Sequence, residues 1–187
     1  MFGRSPLDHQ VTNIHDDLIA RCRAGDRRAF KRIYELYSKA MYNVAYRITA
    51  DEDDASDVLQ EAFISAFDHL GIYRGDATFG SWLKRIVVNK AINLIRKRKA
   101  DRLPESDEWD IADETEIEVE ADDQTVERVK AAIRQLPEGY RTVLSLYLIE
   151  GYDHQEISEI LSVSVSTSKS QLNRAKTRLK EILMSTP

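Results

Sequence analysis

The chain has 187 residues, 42% of them hydrophobic, and a formal net charge of −5, a length that admits one or two small domains. A single cysteine, Cys22, and four scattered histidines (His9, His15, His69, His154) exclude a disulfide framework and a cysteine-based zinc site. No stretch reaches the length of a membrane span and the N-terminus has no secretory h-region, so the chain reads as a soluble cytoplasmic protein.

With 7 Gly, 4 Pro and long runs of helical period, the expected fold class is all-α: two small helical domains joined by an acidic flexible linker. The charge is unevenly placed. Residues 1–100 carry 17 Lys and Arg against 13 Asp and Glu; residues 101–123 carry 1 against 12; residues 124–187 carry 9 against 7. Both flanking segments are therefore basic, and the acidity lies between them.

Residues 1–13 read as a loose tail. Helical periodicity starts near Asp16, with Leu18, Ile19 and Cys22 on one face. Asp26 is placed to cap a helix carrying Phe30, Ile33, Tyr34 and Tyr37, and a separate run spans about Met41 to Ile48. Asp51 to Asp54 open a helix that runs to about Leu70, where acids suit the positive helix N-terminus. A loop with two breakers, Gly75 and Gly80, precedes a long helix capped by Ser81 and ending near Lys99. Residues 101–123 are acidic and aperiodic, and read as a linker extended by self-repulsion.

Periodicity returns from Thr125 to Leu136, and Pro137 sits at the start of the next helix, where its missing N–H costs little. Gly151 ends that helix. Asp153 then caps a short helix, which breaks at Ser162–Ser164 and restarts under a Ser cap. This is a helix-turn-helix pattern, in a four-helix second domain spanning 124–187.

Three surfaces carry chemistry. At about 100° per residue, Arg85, Asn89, Asn93 and Arg96 fall together on one stripe of the helix from Ser81, while Trp82, Leu83, Ile86, Val87, Ala91 and Leu94 cluster on another side. Asn is a poor helix former, and two on one stripe with two Arg suit base edges and phosphates. A solvated face is the plain alternative. The adjoining loop with Tyr73, Arg74, Asp76 and Phe79, beside Trp82, tips the balance toward melted single-stranded DNA, because aromatics beside cations stack unpaired bases. Arg96 to Lys99 add phosphate attraction and also suit a helix C-terminus.

The helix from Asp53 carries Asp54, Asp57, Gln60, Glu61 and Asp68 on its polar face, with Ile64 in their midst. An apolar centre with a polar rim fits a protein contact. A Mg²⁺ site at Asp53, Asp57 and Glu61 is disfavoured, since no His or Lys base accompanies them. On the last helix, Ser166, Lys169, Ser170, Asn173, Arg174 and Thr177 form a stripe equipped to read a major groove. Leu172, Ala175, Leu179 and Leu183 face inward, and Ser168 falls among them where an apolar residue is expected.

These residues resemble the extracytoplasmic-function sigma factors, the small two-domain branch of the bacterial sigma-70 family. Asp17-Leu18-Ile19, Ala24-Gly25-Asp26 and Ala29-Phe30 look like the family's opening, and Asp57 to Phe63 like its polymerase-binding helix. Tyr73 to Asp76, Phe79 and Trp82-Leu83 resemble its promoter-melting region, and Ile86 to Asn93 its minus-10 reader. Leu136-Pro137-Glu138, Tyr140-Arg141 and Gly151 to Ile157 resemble the entry to its second domain; Lys169-Ser170, Leu172, Arg174-Ala175 and Leu179 resemble its minus-35 reader. Ser162, Ser166, Ser168 and Gln171 depart from common family residues, which leaves the minus-35 sequence open.

The resemblance implies an alternative sigma factor without catalytic, metal or cofactor residues. Asp54, Asp57, Gln60, Glu61 and Ile64 would dock on the clamp coiled coil of core RNA polymerase, and the second domain on its flap. Tyr73, Arg74, Asp76, Phe79, Trp82, Arg85, Asn89, Asn93 and Arg96 would hold minus-10 DNA. Ser166, Lys169, Ser170, Asn173, Arg174 and Thr177 would read the minus-35 duplex. The linker would thread the polymerase's basic RNA exit path. An anti-sigma factor, able to hold the chain at a membrane, would cover both domains. The rival class is a stand-alone helix-turn-helix regulator, for which residues 1–100 show no βα alternation of a ligand or receiver domain.

Overall fold

A computed structural model describes residues 15–101 and 123–185. The expected tail and nearly all of the expected linker lie outside the described residues. Every regular element among the described residues is helical. The α-helices in chain order are α1 (Asp16–Arg23), α2 (Arg27–Thr49), α3 (Glu52–Asp68), α4 (Phe79–Asp101), α5 (Asp123–Arg134), α6 (Glu138–Leu144), α7 (His154–Leu161) and α8 (Val165–Ser185), with a short 3-10 turn at Leu70–Ile72.

Local chemistry sets the boundaries. Asp26 Oδ1 accepts from the Arg28 N–H at 2.8 Å and caps α2, while Arg21 brackets the same carboxylate through Nε at 2.9 Å. The separate run expected from Met41 is continuous with this helix. Ser38-Lys39-Ala40 supplies no breaker, so nothing stops α2 before Ala50, which adopts the left-handed conformation at φ 54°. Asp51 Oδ1 caps α3 by accepting from the Asp54 N–H at 2.9 Å. α4 begins two residues before the expected Ser81, because Thr78 Oγ1 accepts from the Ser81 N–H at 3.2 Å and takes the capping role.

α2, α3 and α4 pack on one another, and α1 lies against α2. Ala55, Ala62 and Ala66 are fully buried on α3, so its backbone approaches its neighbours closely; Ile33, Ile48, Leu83 and Val87 fill the remaining space. Cys22 is buried in this core, and burial pushes its thiol up.

α8 is the centre of the second set, packed against α5, α6 and α7. Val143, Leu144, Leu146, Ile157, Leu172 and Ala175 form its core. After α6 the backbone widens into a π-helical turn at Ser145–Ile149, which ends before Gly151 at φ +79°. The two sets touch: α6 packs on α2, and α7 on α4.

Candidate nucleic-acid and protein interfaces

α4 presents Arg85, Asn89, Asn93 and Arg96 on one exposed stripe. Its opposite side buries Leu83, Val87, Val88, Ala91 and Ile92. The stripe is thus carried by a helix whose other face is fixed in the core. At its C-terminal end, Arg96 Nη2 donates to Ile160 O at 2.9 Å in the last turn of α7 and to Ser162 Oγ at 3.1 Å in the turn that leads to α8.

The loop before α4 differs from expectation. Tyr73 and Phe79, expected to face DNA, are buried. Phe79 lies edge-on to Tyr37 at 5.3 Å and Tyr73 at 5.7 Å, and Trp82 tilts against Phe79 and Tyr73. The Tyr73 hydroxyl donates to Ala77 O at 2.6 Å, closing the loop on itself. Large aromatic area is more favourably buried than left beside a solvated loop, so these rings support the loop from beneath. Arg74 and Asp76 remain exposed and Trp82 is half-buried. Arg23 secures the loop by donating to the Leu70 and Tyr73 carbonyls. Its role was not legible in the sequence, because it acts across nearly fifty residues.

On α3, Asp57, Gln60 and Glu61 are exposed, and Ile64 is 62% exposed among them. Glu61 is met by Lys90 of α4 at 3.3 Å. Asp54 does not join this face. It is buried and paired with Arg98 of α4. Burial raises its pKa, opposed in part by the Arg98 charge. The pair takes Asp54 out of the exposed face expected to dock a protein and turns Arg98 from the basic run toward α3.

The helix-turn-helix has its expected caps. Asp153 and Glu156 form a reciprocal capping box at the start of α7, with contacts of 2.8 and 2.9 Å. Ser162 turns the chain at φ 55°, and Ser164 Oγ accepts from the Thr167 N–H at 3.0 Å to start α8. Ser166, Lys169 and Ser170 are exposed; Asn173, Arg174 and Thr177 are half-buried on the same stripe. Two hydroxyls turn back on their own helix: Ser170 Oγ donates to Ser166 O at 2.9 Å, and Thr177 Oγ1 to Asn173 O at 3.2 Å. Their oxygen lone pairs stay available to donors on a base.

Ser168, the polar residue on the inward face, is fully buried against His154, whose Nδ1 lies 2.9 Å from its Oγ. The imidazole stacks on Tyr147 at 4.5 Å. Burial, aided by Lys169, lowers the His154 pKa, favouring the neutral ring. His154 looked isolated in the sequence; a buried hydroxyl fourteen residues on gives it a purpose. Among the described residues, no group of three or more His, Cys, Asp or Glu is arranged to hold a metal ion.

Comparison with known proteins divides the chain along the same helices. Residues 33–101 match the family model for sigma-70 region 2, and residues 126–179 that for sigma-70 region 4. The chain is 34% identical to the RNA polymerase sigma-H factor of Pseudomonas aeruginosa, over 89% of this chain and 92% of that protein. It is 33% identical to the ECF RNA polymerase sigma factor SigM of Mycobacterium tuberculosis (strain Erdman), over 94% and 86%. Among solved structures it is similar to CnrH in complex with the cytosolic domain of CnrY, with a TM-score of 0.54 and 27% identity, covering 91% of this chain and 97% of that one. It shares the fold of the sigma factor RpoE of Bartonella quintana, solved with the anti-sigma factor NepR, at a TM-score of 0.55 and 22% identity over 84% and 98%.

Proposed function

The chain belongs to the extracytoplasmic-function branch of the sigma-70 family, and on that footing we propose how it works as an alternative sigma factor that brings core RNA polymerase to particular promoters. The observation that carries the reading is the order of surfaces on one chain: an acid-rimmed apolar face on α3, an Arg/Asn stripe on α4, and a capped helix-turn-helix ending in α8.

Residues 14–100 form the polymerase-binding and minus-10 unit, and residues 124–187 the minus-35 unit, with 101–123 as the linker. Asp57, Gln60, Glu61 and Ile64 dock on the clamp of the polymerase. The second unit meets the flap. Arg85, Asn89, Asn93 and Arg96, with Arg74, Asp76 and Trp82 beside them, hold the melted minus-10 strand; Tyr73 and Phe79 keep that loop in shape. Asn and Arg have the donor and acceptor patterns to read bases and hold phosphates. Ser166, Lys169, Ser170, Asn173, Arg174 and Thr177 read the minus-35 duplex through the major groove. RNA synthesis itself belongs to the polymerase, so this chain is not an enzyme.

The solved relatives named above are in complex with the cytosolic domain of CnrY and with the anti-sigma factor NepR. By that likeness, this chain is held in check by a partner of the same kind. No helix among the described residues is long and apolar enough to cross a membrane. The chain acts in the cytoplasm, at the nucleoid when in holoenzyme, and is held at a membrane through its partner.

Docking on the polymerase is tested by changing Asp57 and Glu61 to Lys. Both are exposed, so helicity should be unchanged while co-elution with core polymerase is lost. Co-elution at wild-type affinity would remove α3 from the docking surface.

A further inference from the structure

The contact between the two helical sets is built around a buried carboxylate. Glu150 follows the π-helical turn, and its side chain is only 5% exposed. Arg47 of α2 donates to its Oε1 through Nε at 2.9 Å and Nη2 at 2.5 Å. Lys84 of α4 donates to the Glu150 backbone oxygen at 2.7 Å, lies 3.7 Å from Oε2, and sits 5.3 Å above the Tyr152 ring.

Two further cations cross the same contact. The guanidinium of the buried Arg141 donates to the carbonyls of Ile48 and Thr49 at 3.4–3.5 Å, at the C-terminal end of α2, and to Leu136 O at 3.0 Å. A cation is favoured at that end of a helix. Arg96 holds the turn between α7 and α8, as described above.

A carboxylate is withdrawn from water at high cost unless cations receive it. Glu150 is received by two, and both lie on the other helical set. This complementarity distinguishes the contact from a chance meeting of surfaces. Because pairing about offsets the desolvation of such groups, the contact selects one alignment without holding it tightly.

We propose that the face of α2 and α4 made by Arg47, Lys84 and Arg96, with the Ile48 and Thr49 carbonyls, is a docking surface for the chain's own C-terminal helical unit, seated through Glu150. The consequence rests on the sigma-factor reading. The docked form is a resting state that cannot engage a promoter, because Arg96 of the minus-10 stripe is occupied by the turn that leads into the minus-35 helix. Two elements set apart along a duplex, at about 34–36 Å per turn, require α4 and the α7–α8 turn to separate. A sigma factor closed in this way is restrained before any partner binds, and polymerase or DNA shifts it to the open form by binding that form better.

The test uses the full chain without polymerase, in small-angle X-ray scattering. Wild type should give the radius of gyration of the docked form. Glu150→Arg should increase it, and so should Arg47→Glu, a change at a half-exposed residue of the other unit that leaves Glu150 itself in place. The double variant, with the charges exchanged and the net charge of wild type, should return toward the wild-type value. Thermal unfolding of each protein identifies a variant that is expanded because it is unfolded. An extended wild-type chain, or folded single variants as compact as wild type, would overturn the proposal. Promoter-directed transcription by the same proteins with core polymerase separates the two levels. A compact wild type that opens on charge reversal but never directs transcription keeps the docking surface and refutes the sigma reading; an extended wild type that transcribes does the reverse.

Discussion

Arg98, in the basic run that ends α4, is paired with the buried carboxylate of Asp54 in the first turn of α3. Residues 44 apart thereby fasten α4 to α3. Removing the cation should be worse than removing the pair, because a lone carboxylate stays buried. Arg98→Ala should cost about 1–3 kcal/mol, and Asp54→Asn with Arg98→Ala less. Burial already raises the Asp54 pKa, and loss of Arg98 removes the opposing effect. A carboxyl raised in the folded state contributes stability below its unfolded pKa that is lost as pH rises through its folded pKa. Arg98→Ala should therefore recover stability relative to the double variant as pH falls from neutral toward the carboxylate range. Denaturant unfolding at several pH values measures the difference; a constant gap would show that Asp54 does not titrate there.

Phe79 and Asn89 should separate support from reading. Phe79→Ala should destabilise the fold by about 3–5 kcal/mol, and any loss of activity should be similar on all promoters. Asn89→Ala or Asn93→Ala should leave stability near wild type, lower promoter opening and relax preference at the minus-10 element, with about 1–3 kcal/mol lost per base contact. Thermal melting and permanganate reactivity on a promoter panel provide both readouts. A promoter-dependent Phe79→Ala defect in a stable protein would place that ring on the DNA after all.

Ala50 ends α2 at φ 54°, a conformation that glycine adopts without the clash of a Cβ. Ala50→Gly should raise stability by about 0.5–1 kcal/mol, observed as a higher Tm. A lower Tm would mean that the gain in unfolded-chain entropy outweighs the relief.

His154 should make the second helical unit sensitive to acid. Its pKa is lowered from an ordinary value near 6.5, first by burial and then by Lys169. With the folded pKa depressed, stability is present above the unfolded value and is lost as pH falls through and below it. Wild type should weaken below about pH 6.5 more steeply than His154→Gln. Parallel stability curves would show that the imidazole is not held neutral by the fold.

Much of the architecture was legible because its signals are local. Asp26, Asp51, Asp153 and Ser164 cap helices where a short polar side chain precedes a periodic run. The Arg85/Asn89/Asn93/Arg96 stripe follows from helical spacing alone. Long-range chemistry was not legible. Asp54 and Asp57 look alike on a helical wheel, and Arg98 decides that one is buried. Tyr73 and Phe79 suit a stacking surface as well as a core, and packing against Tyr37 and Trp82 decides between these. Nothing near Glu150 announces Arg47, 103 residues away. Ser168 looked out of place until His154 came within hydrogen-bonding distance.

The most direct test of the account is reconstitution. The purified chain and core RNA polymerase are combined on linear templates carrying the host's own promoters, and run-off transcripts are mapped. Initiation should occur at defined sites only when the chain is present. It should fall when either the minus-10 or the minus-35 element is scrambled, and disappear with the Asp57→Lys, Glu61→Lys variant. Transcripts independent of the chain, or equal initiation on scrambled promoters, would contradict the claim that this chain selects promoters for the polymerase.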